Sequence, residues 1–166
     1  MSDKFRFSKG LANTISAPTT TETEIEVGDL VFLDAANNLM GGASSTASYK
    51  AYPFSSLDSN SITTELANAS DYFLGIALEA SDHLDDENIL VGTDGDWNVD
   101  IYTSSTCKMG YSCESYGAST PNTQDQQVAV AASTTNPLGW CLTTGTSKTS
   151  CIMRMRSRYG VAGLIA

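Results

Sequence analysis

The chain has 166 residues, enough for one domain with a sizeable core, and its 41% apolar and 17% charged residues exclude general disorder. No apolar run is long enough to cross a membrane as a helix. The formal charge of −10 divides into +2 over residues 1–9 (Lys4, Arg6 and Lys9 against Asp3), +4 over residues 148–166 and −16 between them, a body poorly built to hold nucleic acid across its face.

With so few charges, the polar surface must be made largely of Ser, Thr, Asn and Gly, which disfavour helix interiors and suit turns and strands. The expectation is an all-β domain. Met1 to Phe7 is followed by polar residues where a secretory apolar segment would begin, so synthesis in the cytoplasm without export by the usual route is expected.

Residues 1–23 read as an extended N-terminal arm. Phe5 and Phe7 alternate with charges, a Thr-rich run follows Pro18, and no apolar period is sustained, so the arm is expected either to order against a neighbour or to form a disordered tail. Residues 24–158 read as one β-barrel domain and 159–166 as an apolar tail. The first strong strand enters through Gly28-Asp29, read as turn chemistry, and its run Leu30 to Leu33 predicts a strand covered on both faces.

A long excursion over 35–72 follows, which Tyr49, Tyr52 and Phe54 are placed to pin, and the spacing of Ile62, Leu66, Ala69 and Phe73 predicts one short helix near 62–70. Phe73 to Glu79 and Ile89 to Val91 read as strands on either side of the acidic loop Asp82 to Glu87. Trp97 to Tyr102 alternates cleanly between apolar and polar, predicting a half-exposed strand with Trp97 inside. Residues 103–126 read as turn-rich, then Gln127 to Ala131, Trp140 to Leu142 and Ser150 to Arg158 as strands. Short strands with Gly and Pro between them predict a small barrel or sandwich.

In an extended last strand, Cys151, Met153 and Met155 share one face and Arg154, Arg156 and Arg158 the other, with the guanidinium groups about 7 Å apart. Such a stripe either protects a solvated strand face or docks an acidic protein surface. Cys107, Cys113, Cys141 and Cys151 contain no CxxC pair and stand far from His83, the one histidine, so no zinc site is expected. Two disulfides would allow three connectivities, none selected by the sequence; buried, reduced thiols are expected, with a disulfide in an extracellular particle left open.

Catalytic patterns are weak. His83 lies in an acidic loop with no nucleophile motif around it, the loop lacks EF-hand spacing, and P-loop, dinucleotide and HExxH signatures are missing. No catalytic residue, metal or cofactor is assigned. Trp97, Trp140 and Tyr102 are the residues available for an exposed aromatic platform, the requirement of a carbohydrate- or receptor-binding β-domain.

The succession Val27-Gly28-Asp29-Leu30-Val31, Phe73-Leu74-Gly75-Ile76-Ala77, Ile89-Leu90-Val91, Val128-Ala129-Val130, Leu138-Gly139-Trp140 and Ile152-Met153-Arg154-Met155 resembles the small β-rich decoration, or cement, proteins of tailed-bacteriophage capsids. The resemblance implies a β-tulip-like barrel, often a homotrimer, that binds major capsid protein on the outside of an icosahedral head, as the lambda-type head-decoration proteins do. It implies no catalytic residues, and it places the chain on the virion surface. On this reading Phe5, Arg6 and Phe7 of the arm and Arg154, Arg156 and Arg158 of the last strand supply the capsid or intersubunit contacts, while the acidic loops face solvent.

Overall fold

The structure, a computed structural model, describes residues 6–9, 13–19, 21, 23–34, 50–56, 70–85, 87–117, 123–155 and 157. Among them the chain is almost entirely β. The strands are β1 (Arg6–Lys9), β2 (Thr14–Pro18), β3 (Leu30–Asp34), β4 (Lys50–Pro53), β5 (Phe73–Ala77), β6 (Asn88–Gly92), β7 (Asp96–Cys107), β8 (Ser112–Gly117), β9 (Thr123–Ala131), β10 (Gly139–Cys141) and β11 (Gly145–Met155). A 3₁₀ turn covers Phe54–Ser56 and residues 70–72 are helical. The predicted helix at 62–70 otherwise lies outside the described residues, as do Tyr49 and the 159–166 tail.

One sheet runs β7–β11–β10–β8–β9 and closes on itself, because β9 also pairs in parallel with β7 through Asp100 and Gln127, and Ile101 and Val128. The small all-β barrel expected from the sequence is therefore present, with five strands in the closed ring. Closure leaves these strands no open edge for unplanned pairing. Beyond the point where β9 leaves, β1 takes over the same side of β7.

The inner face follows the predicted alternation. Trp97, Val99 and Ile101 of β7 and Cys151, Met153 and Met155 of β11 are buried, while Asn98 and Arg154 point out. β7 is much longer than the stretch predicted, reaching Cys107, and β8 occupies residues expected to be turn-rich.

A second sheet has the order β2–β6–β5–β3–β4. β2 is an edge strand, which suits Pro18, a residue with no N–H to donate. Both faces of this sheet are covered, as the run Leu30 to Leu33 predicted. Leu30 and Phe32 of β3 join the barrel core with Phe54, Phe73 and Ile76, and Phe32 packs at 5.6 Å from Phe54 and 5.5 Å from Phe73, ring centre to ring centre. Val31 and Leu33 face the other way, onto a smaller core of Ala17, Ile25, Ala51, Leu74, Ala77, Ile89 and Val91. Every strand of the sheet contributes to that core, and β2 approaches β4 across it, so the sheet is rolled.

Two glycines make this geometry accessible. Gly28, at φ +98°, turns the chain into β3, and the Asp29 carboxylate accepts from the Glu26 amide at 2.8 Å to close the turn. At Gly75, φ +154°, a Cβ would stand 2.1 Å from the Gly92 carbonyl oxygen. The β3–β5 register shifts at this point. Through that shift Phe73 and Ile76 face one core while Leu74 and Ala77 face the other.

The N-terminal segment differs from expectation in its partner. Its extended form is as predicted, but its described parts order against the chain's own sheets: β1 lies along β7, and β2 along β6. Backbone hydrogen bonding supplies the reason, since an extended segment beside an open strand edge satisfies both at once.

Candidate functional site

The charged ends of the chain meet on one strand. β1 and β11 flank β7 on opposite sides, so Arg6, Asn98 and Ile152 form one row, Phe7, Trp97 and Met153 the next, and Lys9, Asp96 and Arg154 a third. Nothing in the spacing of the sequence joins residue 9 to residue 154; the 12-residue length of β7 does. Of the six expected contact residues, Arg6, Phe7 and Arg154 are brought together in this way, and Phe5, Arg156 and Arg158 lie outside the described residues.

Arg154 is the one whose side chain can be followed. Its Nε donates to Asp96 Oδ1 at 2.8 Å and its Nη2 to Oδ2 at 3.1 Å, a two-point pairing of guanidinium with carboxylate. The Arg154 side chain is 60% exposed and that of Asp96 4%, so a surface cation covers a buried anion. Hydrogen bonding to Asp96 holds the guanidinium pKa above its ordinary value. The expected outward face of the last strand is thus present, but at Arg154 the charge is shared with its own chain.

A second charged joint lies between the turn into β3, the 3₁₀ turn and β9. Gln126 Nε2 donates to Asp29 Oδ1 at 2.8 Å and to Glu26 Oε2 at 3.2 Å, while the Ser55 amide donates to Asp125 Oδ1. Burial pushes the Asp29 carboxyl up to about 6, against the opposing pull of the Glu26 amide and Gln126. Burial raises Asp125 as well. Asp29 and Asp125 thereby tie the turn into β3 and the 3₁₀ turn to β9.

The four cysteines, distant in sequence, converge inside the barrel from β7, β8, β10 and β11. All four are buried and unbridged. The proximity of Cys141 and Cys151, together with burial, raises the Cys113 thiol, and burial raises that of Cys107. When protonated, Cys141 donates to the Thr143 carbonyl at 3.4 Å. Convergence of this kind is invisible in spacing, because it depends on strand order around the ring.

The acidic turn after β5 is exposed at Asp82, His83, Leu84 and Asp85. Leu84 adopts φ +84°, and its amide donates to the Thr21 carbonyl at 3.1 Å. Among the described residues, no group of three or more His, Cys, Asp or Glu side chains is arranged to hold a metal ion. No described helix is long and apolar enough to cross a membrane.

The aromatic candidates separate clearly. Trp97 is core, as its alternation predicted, and its indole N–H donates to the Asp94 carbonyl at 3.1 Å. Trp140 is half-buried, whereas Tyr102 is exposed and stacks on Tyr116 with ring centres 3.8 Å apart. Comparison of the chain with protein-family models, with curated proteins and with solved structures finds no match.

Proposed function

We propose that this chain is a capsid decoration protein, a homotrimer that binds major capsid protein on the outer surface of an icosahedral phage head and stabilises the shell. The observation that carries the reading is the meeting of the two basic ends of the chain on either side of β7, in a molecule whose body is strongly acidic. A closed barrel with a localised basic strip is suited to dock on an acidic protein surface while its remaining faces repel one another and stay soluble. Arg6, Phe7 and Arg154 fall within that strip, with Phe5, Arg156 and Arg158 beside them in sequence. On this reading the protein has no catalytic role and requires no cofactor.

Stabilisation follows from mass action. A protein that binds the assembled lattice and not its separated subunits, present at a hundredfold excess over its Kd, contributes about 2.7 kcal/mol per site. A trimer that engages several capsid subunits at once gains roughly 10² to 10⁴ in avidity.

The test is sedimentation of the purified protein with expanded, decoration-free heads of its phage over about 0.05 to 0.5 M salt. Bound protein should fall as salt rises, and a Lys4→Ala, Arg6→Ala, Lys9→Ala variant should bind about tenfold more weakly at low salt, the gap closing at high salt. These substitutions leave β1 and β2 in place, which deletion of residues 1–23 would not. No binding of the parent protein at any salt would sink the capsid reading; binding indifferent to salt would sink the role given to the basic strip.

A second reading is a virion-surface or extracellular domain that binds a carbohydrate or receptor. Tyr102 favours it, being an exposed ring held in place by Tyr116 and offering an apolar face to a sugar. Glycan-array binding that disappears in Tyr102→Ala would support this function.

A further inference from the structure

Two tyrosines meet on the outside of the barrel, from the two strands that flank β9. On β7, Ile101 is buried, so Tyr102 points out; on β8, Ser115 is buried, so Tyr116 points out. β9 lies between them, with Val128 opposite both Ile101 and Ser115. The β8–β9 register then jumps, so that Tyr116 faces Gln124, and this irregularity falls beside the parallel pairing of β9 with β7. The two rings reach each other there, with centres 3.8 Å apart and planes within 16°. At that separation carbons of one ring touch carbons of the other.

A phenol is oxidisable, and contact between two of them has a chemical consequence. Loss of one electron and one proton turns tyrosine into a phenoxyl radical, whose unpaired electron is shared with the two Cε carbons beside the oxygen-bearing one. Two such radicals held together join through those carbons. Holding the partners in contact is worth an effective concentration of about 10⁵ M or more, so joining within the stack outruns joining between molecules. Among the described tyrosines, Tyr52 is buried, and Tyr72 and Tyr111 are packed against the barrel core. Lys108 also stands 5.9 Å over the Tyr111 ring, where a cation opposes loss of an electron. Tyr102, 44% exposed, is the ring an oxidant meets, and Tyr116 is the phenol beside it.

We propose that Tyr102 and Tyr116 are a site of oxidative cross-linking, joined as dityrosine when the protein meets a haem peroxidase and hydrogen peroxide. The oxidised peroxidase takes one electron from each phenol, and each phenol releases its hydroxyl proton. The two radicals form a single bond between Cε carbons. The hydrogen on each of those carbons then passes through water to the phenol oxygens, restoring both aromatic rings. Two hydrogen atoms leave the protein, and one peroxide becomes two waters. The rings turn from face to face toward edge to edge as the bond forms, a movement open to side chains on the outer face. The bond ties β7 to β8 across β9, so the seam at which the barrel closes is held covalently. The inference does not depend on what the protein binds.

Peptide mapping reads the bond directly. Trypsin cuts after Lys50, Lys108 and Lys148, so Tyr102 lies in peptide 51–108 and Tyr116 in peptide 109–148. The full chain, kept dilute, is treated with a haem peroxidase and limiting hydrogen peroxide, then alkylated and digested. The expected result is the two peptides joined and together lighter by two hydrogens, with fragment ions placing the bond between Tyr102 and Tyr116. Dityrosine fluorescence should appear in the band of a single chain on a denaturing gel, and the melting midpoint should rise by roughly 5–10 °C. Tyr102→Phe and Tyr116→Phe each keep a ring in the stack and should abolish the joined peptide, whereas Tyr111→Phe should leave it.

A bond mapped to another pair of tyrosines would overturn the assignment. So would dityrosine found only in chains joined to one another, or oxygen added to tyrosine or to exposed Met109 with no joined peptide. The fragment map of the parent chain needs no variant, so a Phe variant that fails to fold leaves the proposal open to refutation.

Discussion

Asp29 sits where the turn into β3 meets β9, with its oxygens engaged by the Glu26 amide and by Gln126. Folding nevertheless makes it a weaker acid, from 3.8 to about 6, because loss of water outweighs those two bonds. Below pH about 4 the group is protonated in folded and unfolded chains alike. Between about 4 and 6 the folded chain keeps a proton that the unfolded chain has lost, so stability falls as pH rises, and above about 6 the cost stays at roughly 3 kcal/mol. Asp29→Asn should flatten that slope in urea titrations taken from pH 4 to 7 and stabilise the chain at pH 7, because it removes the buried charge, less the cost of re-pairing Gln126, whose amide also donates to Glu26. An unchanged slope would mean that Asp29 does not titrate in this window. The sequence made Gly28-Asp29 legible as a turn, and the turn is there. The burial of Asp29 was not legible, because Gln126 arrives from 97 residues away.

Among the elements, strands with a clean alternation or a continuous apolar run were readable: β3, β5, β6, the first half of β7 and the inner face of β11 all follow from local pattern. β8 was not. Its inward residues are Cys113 and Ser115, both small, and a strand that fills a narrow barrel with small side chains carries no apolar signature. The same limit applies to the proposed basic strip, whose rows depend on β7 having β1 on one side and β11 on the other. Within the strip, Arg154 holds down the charge of a carboxylate that folding has buried. Arg154→Ala should therefore lower the melting midpoint by about 2–5 °C in addition to any effect on docking, and Arg154→Lys, which keeps the charge but loses the fork, should recover part of that loss. Equal midpoints for all three chains would show that Asp96 is neutralised elsewhere.

At the scale of the whole molecule, two apolar cores share one sheet. β3 and β5 send alternate residues into each, so neither core can be lost without exposing the back of the other. Unfolding should then be a single transition: urea curves followed by tryptophan fluorescence, which reports Trp97 and Trp140 in the barrel, and by far-ultraviolet circular dichroism, which reports all strands, should coincide. Separate midpoints would mean that the rolled sheet and the barrel melt independently. The barrel as a class of fold was legible from composition and strand spacing. Its closure was not, because the parallel pairing of β9 with β7 is a contact between strands that no short-range pattern connects.

The placement of β1 and β11 has a mechanical consequence. Both run antiparallel to β7, one on each side, so they point the same way along it, and one belongs to the start of the chain and the other to its end. Tension between the chain's ends pulls β1 backwards and β11 forwards along a common axis. The load falls in shear on rows of hydrogen bonds together and does not peel them one at a time. A fold loaded in this direction resists extension as a clasp does.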